Sequence, residues 1–333
     1  MSAKTFNHIP LSVLDLAPVL EGSTPEQSFK NSVDLARNVE KFGFNRYWLA
    51  EHHNMPGIAS SATSVLIGHI AGATHEMRVG SGGVMLPNHA SLVIAEQFGT
   101  LATLYPGRID LGLGRAPGTD QATAYALRRT LNQQVEDFPM QVEELENYFA
   151  GTAGVRSVPG EGLTIPIWLL GSSGFSAQLS AQKGLPFSFA SHFAPDNTIA
   201  ALNLYRDNFT PSDVLDEPYA MIGVNVIAAD TDEEAKYLAT TQQEQTLSIR
   251  RGQPEKLQPP IENPNEVWSE MEKAVVEQSA NSPYTLIGSK ETVQQGLEKL
   301  LEDTGADEMI INSQIYDINA RIRSYEIVGE LME

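Results

Sequence analysis

Short apolar runs alternate along this chain with longer stretches of helical periodicity, and most boundaries carry a start or stop signal. His8 to Leu16 reads as a first strand ending at Asp15. Thr24, Pro25, Glu26 and Gln27 then form a capping-box pattern with proline at the first helical position, and that helix runs to Phe42, where Gly43 closes it. Tyr47 to Ala50 is strand two, Met77 to Leu86 strand three, Ile109 to Gly114 strand four and Ile167 to Leu170 strand five. Phe187 to Ser191, Tyr219 to Ala229 and Glu308 to Asn312 complete the set as strands six to eight. Between them the pattern predicts helices over Ala62–Thr74, Ser91–Tyr105, Gln133–Phe149, Ser176–Gln182 and Asn197–Phe209. Thr231 with Glu234 opens another, reaching Arg250, and further helices follow over Val267–Ser279, Lys290–Asp303 and Asp317–Met332. RAPGTDQATAYALRR, from Arg115, reads as a loop, and Gly151 to Pro166 as a surface excursion.

Eight strands alternating with helices predict one (β/α)8 TIM-type barrel spanning residues 1–333. A doubly wound sheet is the competing fold, but the glycine fingerprint expected after its first strand is missing, since Leu16 to Gly22 reads LAPVLEG. The alternation breaks at Arg251 to Pro264, where four prolines exclude regular structure. A long insertion so late in the pattern reads as a mobile lid over about residues 251–281. The helices over 62–74 and 91–105 lack the polar face of a barrel's outer helix, Glu96 being their one charged residue apart from His69. That pattern predicts a homodimer through these two helices, or else an extra layer supplied by the chain's own loops.

Composition narrows the function classes. With 41% hydrophobic and 19% charged residues the chain is an ordinary globular protein, and no apolar run approaches the ~20 residues that span a bilayer. The start, MSAKTFNHIP, carries no secretion signal, so the cytoplasm is the expected compartment. There is no cysteine, which excludes disulfides, iron–sulfur clusters, thiolate zinc sites and cysteine nucleophiles. A net charge of −20 argues against nucleic-acid and membrane-surface partners. An anionic ligand would therefore need a local cationic or helix-terminal site.

Glu51, His52 and His53 arrive together where strand two ends, which in a barrel is the active-site face. Paired histidines there suit proton transfer, metal binding or anion recognition, and a partly solvated loop of hydrogen-bonded imidazoles is the plainer reading. Strand five leads through Gly171, Ser172, Ser173, Gly174, Phe175 and Ser176 into a helix, an arrangement fit for phosphate or for ordinary helix capping. Arg115, at the end of strand four, stands one unit away and can reach the same anion. Gly80 to Gly83 interrupt strand three with Ser81, which predicts either a flat ring lying on the backbone or crowding at the rim. The metal patterns HxH on strand one and HExxH are absent, so no metal is expected. His69 and His75 read as structural, His89 falls in the loop after strand three, and Glu51 and His192 are expected to line the substrate pocket.

Taken in order, AEHHN at 50–54, VGSGGVMLPNH at 79–89, PGRIDLGLGRAPG at 106–118 and LLGSSGFSAQLSAQKGLP at 169–186 resemble the bacterial luciferase-like flavin monooxygenases. The likeness runs along nearly the whole chain and is nearest the single-subunit bacterial members. It implies a TIM-type barrel, reduced FMN as cosubstrate delivered by a separate reductase, and molecular oxygen reacting through a flavin C4a-hydroperoxide to oxygenate a small organic substrate. By similarity His52 is the catalytic histidine and His53 flanks it. Arg115, Ser172, Ser173, Gly174 and Ser176 match the phosphate positions, and Gly82 and Gly83 a segment that often holds a non-prolyl cis peptide beneath the ring. A deazaflavin-dependent dehydrogenase of the same superfamily and a non-catalytic flavin-binding protein are the alternatives. Gly114 stands where luciferase carries a reactive cysteine, which counts against light emission but not against flavin binding.

Overall fold

A computed structural model describes residues 3–116, 120–128 and 137–333. Among them, eight parallel strands close into a barrel: β1 (Ile9–Asp15), β2 (Arg46–Leu49), β3 (Arg78–Ser81), β4 (Ile109–Gly114), β5 (Ile167–Gly171), β6 (Phe187–Phe189), β7 (Ala220–Ala228) and β8 (Glu308–Asn312). Each pairs with the next in the chain, and β8 returns to β1 with Met309 opposite Leu11, so the ring has no open edge. The alternation written in the sequence is therefore that of a TIM-type barrel.

Local chemistry sets the element boundaries. The hydroxyl of Thr24 accepts from the Gln27 amide at 3.3 Å to start α1 (Pro25–Phe42), and Gly43 ends it in the left-handed region at φ 98°. α2 (Thr63–Ala73), α3 (Ser91–Leu104), α5 (Phe138–Ala150), α6 (Gly174–Lys183), α7 (Thr198–Asp207), α8 (Asp232–Arg250), α11 (Lys290–Thr304) and α12 (Ile318–Gly329) fall within a few residues of their expected places. The expected start of the fifth helix at Gln133 lies outside the described residues.

Two expectations are corrected. The stretch after β4 is not all loop: α4 (Gln121–Arg128) forms behind Asp120, whose carboxylate accepts from the Thr123 amide at 3.0 Å. Strand three is broken, with β3 stopping at Ser81 and a short separate strand, Val84–Met85, resuming after the Gly82–Gly83 pair. The proline-rich insertion leads into α9 (Pro264–Val267) and α10 (Glu270–Ala280), the latter started by a full capping box between Ser269 and Glu272. A further strand, Thr285–Gly288, then adds to the outer part of β7 without entering the ring. Within the insertion Leu257 is buried and exchanges backbone hydrogen bonds with Val19 and Glu21, each 2.9 Å, so its middle is fastened to the β1–α1 connection.

Two kinds of material fill the barrel. In the middle, Leu14, Trp48, Trp168, Met221 and Ile310 pack together, with the two indoles edge to face at 5.2 Å. At the amino-terminal end of the strands the filling is ionic. Arg46 lies between Asp110 at 2.9 Å and Glu308 at 2.8 Å, its guanidinium 4.7 Å from the Trp168 ring centroid. Arg78 also reaches Asp110, the Trp48 indole donates to it, and Ser12, Asn45 and Tyr219 donate to Glu308. This network closes one end of the barrel, and ligands are left the carboxyl end. Replacing Arg46 by Met strands the buried Glu308 carboxylate and should lower unfolding free energy by about 3–5 kcal/mol. Chemical denaturation measures this, and a loss under about 1 kcal/mol, the range of an exposed pair, would show that the pair is not the buried one described.

Candidate active site

At the carboxyl end of β2 the chain is tied back on itself. The Ala50 carbonyl accepts from Ser60 Oγ at 2.5 Å and Thr63 Oγ1 at 3.2 Å, and the His52 amide donates to the Ser60 carbonyl at 3.1 Å. Glu51 turns inward at 1% exposure. One carboxylate oxygen, Oε1, receives His53 Nε2 at 2.7 Å and His89 Nε2 at 2.8 Å, while Oε2 accepts from the Met85 amide at 3.0 Å. Burial by itself would raise the Glu51 pKa. The bonds from His89, His53 and Met85 outweigh it and hold the carboxyl below its ordinary range. Glu51, expected on the substrate pocket, joins the loops that follow β2 and β3. His52 is partly buried beside it.

The peptide between Gly82 and Gly83 is cis. Of the two accounts of this glycine-rich segment, crowding has direct support. A Cβ at Gly82 would fall 2.8 Å from Leu14 Cδ1 and 3.2 Å from Trp48, and one at Gly83 2.7 Å from the Gly112 carbonyl oxygen. Gly80 is filled in the same way by Asp110 and Trp48.

The next two strands carry the residues expected to hold an anion. Arg115 leaves β4 with its guanidinium 4.1 Å from the ring centroid of Phe175, in the first turn of α6. Ser173 is the N-cap of that helix, yet its side chain makes no capping bond, so the first-turn amides are not served by it. Ser172 is half-buried and Ser173 exposed beside Gly174, whereas Ser176 is buried against Gly171, where a Cβ would meet its Cβ at 2.7 Å. An arginine and an uncapped helix start in one place suit a phosphate.

His192 follows β6, four strands round the ring from β2. Its ring lies against Gly223 of β7, where a Cβ would fall 2.1 Å from Nδ1, and edge-on to Phe193 at 4.9 Å. Nδ1 is buried without a hydrogen-bond partner although the residue as a whole keeps partial access. Burial pushes its pKa down to about 4. The Asn225 amide donates to the His192 carbonyl at 3.0 Å and its oxygen accepts from Asn312 at 2.9 Å, tying β6, β7 and β8 together at this end.

Sequence reasoning passed over His89, which the fold brings to Glu51 from 38 positions away, and also Asn225 and Asn312. The asparagines did leave a signal, being polar residues near the carboxyl ends of apolar strands. His89 left none beyond its place after strand three. No metal set was expected from spacing, but the fold places ligand atoms of Glu51, His53 and His89 within 4.8 Å of one another. Among the described residues no helix is long and apolar enough to cross a membrane.

Comparison with known proteins gives one consistent answer. Residues 9–308 match the family described as luciferase-like monooxygenase. A luciferase-like monooxygenase of Escherichia coli strain K12 is 55% identical, covering 98% of this chain and 97% of its own. The N-acetyl-S-alkylcysteine monooxygenase of Bacillus subtilis is 32% identical, with coverage of 97% and 98%. Among solved structures, apo-MsnO8 superposes with a TM-score of 0.86 at 34% identity, covering 97% of this chain and 98% of its own. The buried setting of His192 has a measurable result: its ring signals in an NMR titration should stay those of a neutral imidazole from pH 8 down to about 5. A midpoint near the ordinary histidine value would show that the ring is solvated.

Proposed function

The chain belongs to the luciferase-like monooxygenase family, and on that premise we propose that it is a flavin-dependent monooxygenase. In this reading it takes reduced FMN from a separate reductase, uses molecular oxygen, and oxygenates a small organic substrate. The observation that carries the cofactor assignment is the meeting of Arg115 with the uncapped start of α6, an anion site in a protein of net charge −20. Arg115, the hydroxyls of Ser172 and Ser173 and the amides that open α6 would hold the phosphate. The segment around Gly82 and Gly83 would lie under the ring. Reduced FMN, when bound, supplies the electrons that activate oxygen. The chain's own part is then to hold the ring, limit water, and move a proton, and His52 is the group we assign to the proton. The N-acetyl-S-alkylcysteine monooxygenase relative makes thioethers the first substrates to try.

Anaerobic titration with reduced FMN, followed by oxygen uptake with a thioether panel, tests the assignment. Arg115→Ala should weaken reduced FMN by ~10-fold or more, the worth of a charge-assisted hydrogen bond. His52→Ala should leave that affinity nearly intact and lower turnover by ~100-fold or more. Failure to bind reduced FMN overturns the cofactor. Hydride transfer to a deazaflavin without oxygen uptake would make the chain a dehydrogenase.

We also propose a homodimer through α2 and α3. The loop at Gly160 packs against Gly99, but Val65 at 74% exposure, Leu104 at 63% and Val93 remain open, and no exposed residue of either helix carries a fixed charge. Sedimentation at micromolar concentration should give the dimer, and Val65→Lys with Leu104→Lys the monomer. A wild-type protein that is monomeric there removes the proposal.

A further inference from the structure

We propose that Glu51 is a positioning residue that fixes the tautomer of two imidazoles, His53 and His89, placing the ring proton of each on Nε2 and the lone pair of each on Nδ1. The donors and acceptors around the carboxylate lead to this step by step. The Met85 amide can only donate, so Oε2 is an acceptor and carries no proton. Both Nε2 atoms lie within hydrogen-bond distance of the same Oε1. A protonated Oε1 could donate to one ring only, and it would need the other ring as donor. An ionised carboxylate accepts from both, using the two lone pairs of one oxygen. Each Nε2 therefore carries hydrogen. A neutral imidazole has one N–H, which leaves Nδ1 as the nitrogen that accepts.

The consequence concerns where protons enter the site. The rings of His53 and His89 keep 14% and 25% side-chain exposure while Glu51 keeps 2%, so protons reach the rings and not the carboxylate. On each ring the nitrogen opposite Nδ1 is the one paired with Glu51. The two rings thus stand in known orientation on the loops after β2 and β3, one of them next in the chain to His52, and a role for them in catalysis rests on the monooxygenase reading. The tautomer assignment does not rest on it.

The test uses the apoprotein labelled with 15N-histidine, the rings assigned through single His→Gln variants. Long-range 1H–15N spectra at neutral pH should show both His53 and His89 protonated at Nε2. Glu51→Gln should reverse this. Its single amide oxygen must still meet the Met85 donor, which turns the NH2 group toward the rings and makes them accept at Nε2. The protonated and unprotonated 15N signals of at least one ring should therefore exchange places. Mixed tautomers in the wild-type protein overturn the proposal, as does unprotonated Nε2 on both rings, the state a bound divalent cation would require. An unchanged pattern in Glu51→Gln overturns it as well. The wild-type spectrum alone decides if the glutamine protein does not fold. Neither flavin nor oxygen enters the measurement, so failure of the monooxygenase reading would show separately, in the FMN titration.

Discussion

A closed barrel has to fill its own centre, and Trp48 does much of that here. Its indole meets Trp168 edge-on, donates to Asp110, and occupies the space that side chains at positions 80 and 82 would need. Gly80 of β3 and Gly82 just beyond it fit this packing, and the strand is interrupted there, at the rim, before the next short strand begins. With the centre taken by indoles and the amino-terminal end by the Arg46 network, the remaining opening is the carboxyl end. The histidines after β2, the arginine after β4 and the serines after β5 all stand at that end.

Electrostatics sharpen that arrangement. A chain with twenty surplus negative charges disfavours anions over most of its surface, so the few fixed positive groups at the carboxyl end have to be local and well placed. Among the described residues Arg115 leans on an aromatic ring rather than on a carboxylate, which leaves its charge less compensated there than that of Arg46 between two acids. Charges at the closed end neutralise one another and stabilise, and so do Asp15 and Arg321, 3.0 Å apart and buried at the end of β1.

What could be read from the sequence was whatever depends on neighbours along the chain. Thr24 and Gly43 bound the first helix, Thr231 starts the eighth, and Ile109–Gly114 and Glu308–Asn312 appear as strands at their expected limits, because caps, turns and apolar runs act within a few residues. Glu51, His52, His53, Arg115 and the serines could be located at strand ends for the same reason. What could not be read depends on distant partners. His89 meets Glu51, and Glu308 meets Arg46, through barrel closure alone. Thr285–Gly288 is a strand because the outer part of β7 offers it a ladder, and α4 was hidden by a composition that also suits a loop. Glu51 was located by the sequence, but its place as the hub between two loops was not.

The fastening of Leu257 to Val19 and Glu21 bears on how the late insertion can behave. An excursion held at its middle is two short loops in place of one long one. Closure entropy grows only by about 0.6 kcal/mol per doubling of loop length, so the gain in stability is small, but the change in mechanics is large. Swinging the segment as a single flap about its ends would first break these bonds, and toward Trp268 the stretch is fastened again, by Ile261 to Thr240 and by the Trp268 indole to Glu244 of α8.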